Sequence, residues 1–475
     1  MALSCENGYG DVVDLGFEAM MGKPATARRQ GSGPRSGGGS GGGSGGRSGR
    51  GSDRRTGADP ARLAALTLLA GVRGGQTLAD QIGMGALDRL DPGDRARAQR
   101  LALAVLRLTG RADAVLTPHL ARRPAPAIMD ILRLAVVEML ALDTPAHGAV
   151  NAAVAVARAG NGKQRAAAGM INAVLRKAAE GRAAWDAAGP QMLPEWLRGP
   201  LITAWGDSAV RAIEAVQEQA PPLDLTLRSP LETDLPEGMA LPTGSLRLTG
   251  PVQVSALPGH AGGAWWVQDA AAALAVRALA PEPGEVIADL CAAPGGKTMQ
   301  LAAAGAQVTA VDSSAPRLKR LAENLRRTGL DAKVICADVL DWRPDTPPDA
   351  VLLDAPCSAT GTIRRHPDLP VVRDGSALPE ITDLQARMID HALAILRPGG
   401  RLVYATCSLL PAEGEDQIAA ALTRHPGVTV EPAEVPGTRP EWLTGAGALR
   451  LRPDYWADLG GMDGFFIARL RKPAG

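Results

Sequence analysis

Apolar residues recur at three- and four-residue spacing through residues 58–185, which is the period of an amphipathic α-helix. Leu101, Val105 and Leu108 share one predicted helix face. A second predicted face consists of Ile128, Ile131, Ala135, Met139 and Leu142. Because one helical run follows another, the pattern predicts an all-helical domain over 58–185.

The spacing changes from Trp265 onward, where short β-branched runs alternate with helical stretches. The predicted strands are Glu285 to Leu290, Gln307 to Val311, Ala332 to Ala337, Ala350 to Leu353, Arg401 to Ala405 and Gly464 to Leu470. Strands that alternate with helices indicate an α/β fold with a doubly wound, mostly parallel sheet, and its ligand site lies at the carboxyl ends of the strands. We therefore predict an α/β domain over 265–475.

Two further segments lie outside these domains. Residues 186–264 are predicted to form a linker and a small mixed α/β subdomain, with a Pro-rich connection from about Gln191 to Pro222. Residues 1–57 are predicted to be a disordered tail, because Gly, Ser and Arg dominate from about Lys23 to Arg55 and offer almost no apolar surface to bury.

Composition limits the class of protein. The formal net charge is +1, so any contact with nucleic acid depends on local basic patches. The five cysteines contain no CxxC pair, which argues against a disulfide framework or a structural zinc site, and we expect no metal. No apolar run is long enough to span a bilayer, and the first residues lack the parts of a signal peptide. We expect a cytoplasmic, monomeric protein without a membrane partner.

A turn of small residues follows the first predicted strand of the α/β domain. Its members are Cys291, Ala292, Ala293, Pro294, Gly295, Gly296 and Lys297. Glycines let a backbone approach a ligand closely, and the helix that follows offers free N–H groups. A tight structural turn is the simplest alternative. A phosphate-binding P-loop is another, because Gly296, Lys297 and Thr298 match the end of that motif, but Cys291 stands where the P-loop needs glycine.

Acidic residues end the neighbouring strands. Asp312 lies at the distance from the small-residue turn where a Rossmann-like site places a carboxylate on ribose hydroxyls, and Asp338 ends the third strand. An isolated acid at a strand end is more often a turn former or a helix cap. Three successive strands that end in Asp, the first at Asp289, favour a cofactor site.

Two cysteines follow the fourth and fifth strands. Cys357 comes shortly after Asp354, and Cys407 comes directly after the fifth strand. Because both strand tips lie at one edge of a parallel sheet, we expect two thiols and a carboxylate beside the cofactor. Two thiols at adjacent strand tips suggest methylation of cytosine. A thiolate that adds to carbon 6 of cytosine makes carbon 5 able to attack a methyl donor, and Asp354 would supply a proton or hydrogen bond at the ring nitrogen.

The other two cysteines of this domain have simpler expected roles. Cys336 is expected to be an inert small hydrophobe, and Cys291 to pack against the cofactor.

Several motifs, taken together, resemble the Nop/Sun family of RNA 5-cytosine methyltransferases. They are DLCAAPGGKT at 289–298, AVD at 310–312, LLDAPCSATGTIRRHPD at 352–368, YATCS at 404–408 and DGFF at 463–466, with VQDA at 267–270 before them. The helical segment, with PAHGAVNAAV at 145–154 and MINAVLRK at 170–177, resembles the RNA-binding domain of the NusB family. That pairing is typical of bacterial members that modify small-subunit (16S) ribosomal RNA.

The resemblance implies a Rossmann-like domain, S-adenosylmethionine as cofactor and a role for each site residue. Cys407, in the TC motif, is implied to be the nucleophile, and Cys357, in the PC motif, to help release the product. Cofactor contacts are implied for the turn at 291–297 and for the three carboxylates at strand ends, which are Asp312, Asp338 and Asp354.

Basic residues are the candidates for contact with RNA. Arg364, Arg365 and His366 follow the fourth strand in a loop that we expect to face the crevice. Arg228 is retained from a family Arg-x-Asn pattern in which Pro230 replaces the Asn. A further cluster in the helical domain is equally well explained as solvated surface, and it consists of Lys163, Arg165, Arg176, Lys177 and Arg182.

Two other functions fit the same sequence. One is a non-catalytic RNA-binding factor for ribosome assembly, against which the two thiols and Asp354 weigh, because binding alone needs none of them. The other is a 5-cytosine methyltransferase that acts on tRNA.

Overall fold

The structure is a computed structural model, and it describes residues 57–229, 232–250 and 252–474. The predicted tail, apart from Gly57, lies outside the described residues, as does Pro230. Within the described ranges, no helix combines the length and the apolar character that crossing a membrane requires. In the same part of the chain, no group of three or more His, Cys, Asp or Glu side chains is arranged to hold a metal ion.

The amino-terminal domain is helical, as the apolar spacing predicts. Helices α1 to α7 span Pro60–Arg73, Leu78–Gly83, Pro92–Leu116, Pro126–Leu140, Ala146–Ala159, Gly162–Ala178 and Arg182–Ala187. In α3, Leu101 and Val105 are buried, and Leu108 lies partly buried at a kink. The second predicted face is buried except for Leu142, which lies beyond the end of α4 and is 38% exposed.

The segment predicted to be a Pro-rich connection, from about Gln191 to Pro222, is mostly one long helix. Helix α8 spans Glu195–Gln217 and contains Pro200 and a kink at Gly206, where φ is 81°. Its buried apolar side packs against the loops that follow the fourth and fifth strands of the α/β domain. The helix therefore supports those loops instead of acting as a tether.

A small antiparallel sheet follows α8. Its strands are β1 Leu223–Leu227, β2 Met239–Ala240, β3 Leu246–Leu248 and β4 Trp265–Val267, in the order β2-β3-β1-β4. Strand β4 belongs to this sheet, although its sequence lies at the start of the predicted α/β domain.

The carboxy-terminal domain is built on an eight-stranded sheet in which all six predicted strands are present. Strands β5 to β12 span Val286–Leu290, Gln307–Asp312, Lys333–Cys336, Ala350–Asp354, Arg401–Thr406, Thr429–Glu431, Leu449–Leu451 and Phe465–Arg471. The main order is β10-β12-β9-β8-β5-β6-β7, and β11 pairs with β12. Strands β5 to β9 are parallel, whereas β10, β11 and β12 pair antiparallel.

Helices cover both faces of this sheet, which confirms the doubly wound α/β fold. Helices α9 to α14 span Ala270–Leu279, Gly296–Ala303, Ala315–Thr328, Leu369–Val372, Leu378–Ile395 and Glu415–Arg424. Leu352 and Val403 pack in one core with α9, while Val351 and Leu402 pack in another with α13. Because successive strand residues point to opposite faces, both faces of β8 and β9 are apolar.

Candidate active site

The carboxyl ends of the parallel strands open into one cavity of about 390 Å³. Its wall includes residues predicted from the sequence, namely Cys291, Asp312, Asp338, Asp354, Cys357 and Cys407. A cavity of this size is typical of a cofactor or small-molecule site. The fold thus brings the predicted carboxylates and thiols around one space.

The small-residue turn between β5 and α10 requires glycine at position 295 for two reasons. Gly295 has a φ of 105°, and a Cβ atom added there would lie 2.8 Å from Cγ of Leu321. Both the backbone and the space therefore exclude a larger residue. Gly295 packs against Leu321 and is not part of the cavity wall. The residues of the turn that line the cavity include Ala292, Ala293, Pro294, Gly296 and Lys297.

The remaining described cysteines differ in their surroundings. Cys291 lines the cavity, and burial raises the pKa of its thiol well above the usual range, so it remains protonated. Packing of Cys291 against the cofactor stays a prediction. Cys336, which we expected to be an inert small hydrophobe, lies at the end of β7 and is exposed.

Two carboxylates stand on the side of the cavity formed by β6 and β7. Asp312 is 2% exposed, and its two oxygens accept hydrogen bonds from the N–H groups of Ala293 at 3.1 Å and Ser314 at 2.9 Å. Asp338 is exposed and accepts one from the N–H of Leu340 at 2.9 Å. A carboxylate has about four acceptor positions, so both retain capacity for the donors of a ligand.

An ion pair lies at the end of β8. Nζ of Lys297 donates to Oδ2 of Asp354 at 2.7 Å and stands 5.3 Å from the centre of the Phe465 ring. Burial opposes the charge of Lys297, but the neighbouring Asp354 carboxylate outweighs it and the pKa of Lys297 is raised. The cavity therefore holds a fixed ammonium group beside its thiols.

The two predicted thiols are in contact. Sγ of Cys357 lies 3.4 Å from Sγ of Cys407. Cys357 is 2% exposed, whereas Cys407 is only partly buried. The hydrogen bond with Cys407, together with burial, raises the pKa of the Cys357 thiol well above its usual range. Cys357 thus remains protonated at neutral pH, next to the more accessible sulfur of Cys407.

Known proteins share this arrangement of domains. The family described as 16S rRNA methyltransferase RsmB/F matches residues 276–471, and the NusB family matches residues 59–180. Ribosomal RNA small subunit methyltransferase B of Xanthomonas campestris pv. campestris is 37% identical over 440 residues, covering 87% of this chain and 97% of the relative. The protein of the same name from Pseudomonas syringae pv. tomato is 36% identical over 441 residues, with coverage of 87% and 97%.

The chain belongs to the ribosomal RNA small subunit methyltransferase B family. This confirms the family resemblance carried by the sequence motifs and the NusB-like nature of the helical domain. The crystal structure of PH0851 has the same fold, with a TM-score of 0.65 at 23% identity, and the match covers 87% of this chain and 99% of that one.

One residue predicted to contact RNA is placed differently in this member of the methyltransferase B family. The side chain of Arg364 is 1% exposed, pairs with Asp269, and donates to Oδ1 of Asp463 at 2.9 Å. A guanidinium that is buried in two ion pairs is not available to a phosphate. We therefore correct the prediction, because Arg364 joins the loop to the rest of the domain.

The other loop residues do reach the cavity. Arg365 and His366 line it, although Arg365 also pairs with Asp463, at 2.8 Å from its Nε. Burial, with Arg365 and Arg107 nearby, lowers the pKa of His366 well below its usual range, so its imidazole is neutral. Contact of Arg365 and His366 with RNA stays a prediction.

The remaining basic candidates lie on surfaces away from the cavity wall. Arg228 donates to Oε2 of Glu232 at 3.0 Å, and its side chain is 38% exposed. The five basic residues of the helical cluster, Lys163, Arg165, Arg176, Lys177 and Arg182, are all exposed. They remain predicted RNA contacts whose alternative is solvated surface.

Sequence reasoning missed three acids that shape the site. Asp269 and Asp463 lie in the quoted VQDA and DGFF motifs, but only the fold shows that they hold Arg364. Glu413 was not singled out at all, although it is fully buried between the two cysteine-bearing loops. A lone acid after an apolar pair gives no sequence signal of burial, because acids are mostly exposed.

Proposed function

We propose that this protein transfers the methyl group of S-adenosylmethionine to carbon 5 of a cytosine in small-subunit ribosomal RNA, through a covalent adduct with Cys407. The observation that carries the proposal is the contact between two thiols at 3.4 Å, beside a carboxylate, at the tips of adjacent parallel strands. Membership of the small-subunit methyltransferase B family supports the choice of RNA.

Differences between the two thiols favour Cys407 as the nucleophile. Cys407 is the more exposed residue of the two, and the ammonium of Lys297 interacts with it electrostatically. Cys357 is held protonated by its raised pKa. The thiolate, not the thiol, attacks carbon, so the protonated Cys357 is the poorer nucleophile and remains able to assist release.

Chain residues supply the remaining chemistry on the base. Addition of the Cys407 sulfur to carbon 6 makes carbon 5 nucleophilic, so it can take the methyl group as the methyl–sulfonium bond breaks. A base, for which solvent water suffices, then takes the carbon 5 proton, and the electron pair of that bond expels the sulfur as a thiolate. Asp354 would hold a proton or hydrogen bond at the ring nitrogen, which stabilises the charge that develops during addition. Lys297 orients Asp354 through their 2.7 Å contact.

The cofactor of this proposal is S-adenosylmethionine, which would supply an electrophilic methyl group on its sulfonium sulfur. Asp312 would accept from the ribose hydroxyls, and Asp338 would accept from another donor of the cofactor, because each carboxylate lines the cavity with acceptor capacity to spare. Ala293, Pro294 and Val339 offer apolar wall surface. The turn at 291–297 brings its backbone to the cavity, as close binding of a nucleoside requires.

Transfer of labelled methyl from S-adenosylmethionine to small-subunit RNA that lacks modifications tests the proposal. We expect the label on carbon 5 of a cytosine, located by digestion and mass spectrometry. Specific RNA binding without transfer would favour an assembly factor, and label on tRNA alone would favour the tRNA enzyme. Either result would contradict the proposal.

A further inference from the structure

Glu413 joins the two loops that bear the thiols. Its side chain is 0% exposed, and Oε1 accepts from the N–H of Ser358 at 2.7 Å and from Nε2 of Gln385 at 3.1 Å. Oε2 accepts from the hydroxyl of Ser408 at 2.5 Å and from the hydroxyl of Ser358. Ser358 directly follows Cys357, and Ser408 directly follows Cys407.

The backbone of Glu413 is fixed as well. Its carbonyl accepts hydrogen bonds from the hydroxyls of Tyr404 at 2.9 Å and Thr406 at 3.1 Å, both in β9. The backbone carbonyl of Glu413 is fixed by two hydrogen bonds, and its carboxylate accepts four more, so the side chain has little freedom to move. It defines the relative position of the Ser358 and Ser408 backbones.

We propose that Glu413 is a positioning residue that sets the separation of the Cys357 and Cys407 sulfurs. It does not line the cavity, so it acts on the reaction through the two loops and not by contact with substrate. The catalytic part of this inference rests on the proposed function, because it assumes that both thiols take part. The structural part does not, since it concerns the distance between two sulfurs.

The expected consequence follows from the geometry of covalent catalysis. Removal of the carboxylate leaves the N–H of Ser358 without its buried acceptor, whereas Nε2 of Gln385 keeps its hydrogen bond to the carbonyl of Pro356 at 2.9 Å. A buried donor without a partner costs about 1–3 kcal/mol. The loops would shift to recover hydrogen bonds. A displacement of about 1 Å in a reacting group costs on the order of 100-fold in rate.

Formation of a disulfide between the two cysteines reports their separation directly. Diamide accepts two electrons and two protons as the thiols join, and mass spectrometry of the linked peptides gives the rate for this pair. We expect Glu413→Ala to slow this disulfide by about tenfold or more and to lower kcat by about 10- to 100-fold. Its affinity for S-adenosylmethionine, measured by calorimetry, should stay unchanged.

Conservative and control variants separate positioning from a general loss of structure. Glu413→Gln should restore most of the disulfide rate, because its amide oxygen still accepts from Ser358 N–H while its NH₂ donates to the serine hydroxyls. Glu285→Ala is the control, because it removes a largely buried ion pair with Arg401 at the opposite end of β9 from the cysteines. It should leave the disulfide rate unchanged.

The outcomes are distinguishable. An undiminished disulfide rate in Glu413→Ala, or an equal loss in Glu285→Ala, would overturn the role of Glu413. Should Glu413→Ala fail to fold, Ser358→Ala/Ser408→Ala decides, since it removes both hydroxyl donors to Glu413 and must slow the disulfide if the inference holds. It also removes the hydrogen bond from the N–H of Leu410 to the hydroxyl of Ser408. Absence of methyl transfer in the unaltered protein, with the disulfide still dependent on Glu413, would reject the proposed function but keep the positioning role.

Discussion

Asp289 is the most strongly perturbed carboxyl near the small-residue turn. Burial, opposed by the hydrogen bond from Thr298 and reinforced by Asp354, raises its pKa to about 7. Oδ2 accepts from the Thr298 hydroxyl at 2.6 Å, while Oδ1 is buried and has no hydrogen-bond partner among the described residues. An unpartnered buried oxygen is better tolerated in the neutral acid than in the carboxylate.

The sign of the resulting pH dependence follows from the raised pKa. Between about pH 4 and pH 7 the folded protein keeps a proton on Asp289 that the unfolded chain releases, so stability falls as pH rises through this window. The slope is at most about 1.4 kcal/mol per pH unit. Asp289→Asn should remove this dependence in urea unfolding at several pH values, whereas Asp345→Asn, whose side chain is 97% exposed, should not. Identical pH profiles for Asp289→Asn and the unaltered protein would contradict the raised pKa.

Single residues also mark where sequence reasoning stopped. It placed Cys357, Cys407 and Asp354 at one edge of the sheet, because the ends of parallel strands must meet there. It assigned Arg364 to RNA, because a basic residue in a site loop is usually exposed. The acids that bury Arg364 lie 95 and 99 residues away along the chain, so only the folded chain reveals the pairing.

At the scale of elements, three loops meet through two glycines. The N–H of Gly361 donates to the carbonyl of Cys407 at 2.9 Å, and the N–H of Gly464 donates to the carbonyl of Gly361 at 2.8 Å. A Cβ atom added to Gly361 would lie 1.9 Å from the carbonyl oxygen of Gly464. The loops after β8 and β9 and the start of β12 therefore approach as closely as backbones permit.

Gly361→Ala should separate these loops. We expect a loss of about 1–3 kcal/mol in stability from overpacking and a fall of about 100-fold in kcat as Cys407 shifts. Gly445→Ala is the matched control, because a Cβ atom there meets nothing within 4 Å. Thermal unfolding and methyl-transfer rates measure both effects. Normal turnover in Gly361→Ala would show that the close approach has no bearing on the site.

Elements were predicted unevenly for a physical reason. Strands β5, β6, β8 and β9 were found because a buried parallel strand is a short apolar, β-branched run. The same kind of run predicted β7, which is mostly exposed, and β12, which pairs antiparallel. Helix α8 was missed because Pro200 and Gly206 are typical of connections, although the helix tolerates one and kinks at the other. Its burial against the cysteine-bearing loops is a tertiary contact that local spacing does not reveal.

In the whole molecule, the helical domain touches the loop that carries Arg365 and His366. The guanidinium of Arg107 donates to the carbonyl of Arg364 at 3.0 and 3.3 Å, and the N–H of Leu78 donates to Asp368 at 2.8 Å. Burial, with Arg364 nearby, lowers the pKa of Arg107 to about 10, so it stays charged at neutral pH. The NusB-like domain therefore supports the loop that carries Arg365 and His366. The cytoplasmic location and the monomeric state remain predictions.

Arg107→Met tests this contact. Loss of hydrogen bonds from a charged group should cost about 1.5–3 kcal/mol of stability, and the KM for RNA should rise as the loop moves. Binding of S-adenosylmethionine should not change, because Arg107 does not line the cavity. Arg123→Met, at a side chain that is 70% exposed, serves as the control. An unchanged KM and an unchanged stability in Arg107→Met would show that the helical domain does not support the loop through Arg107.

We propose that the two touching thiols act at different times, and one denaturing gel tests this order of events. Cys407→Ala removes the attacking sulfur, so neither methyl transfer nor a covalent complex with RNA should appear, while RNA binding survives. Cys357→Ala still permits attack and transfer but slows release, so a covalent complex that survives detergent should accumulate with RNA and S-adenosylmethionine. A trapped complex with Cys407→Ala and none with Cys357→Ala would contradict the account and make Cys357 the nucleophile.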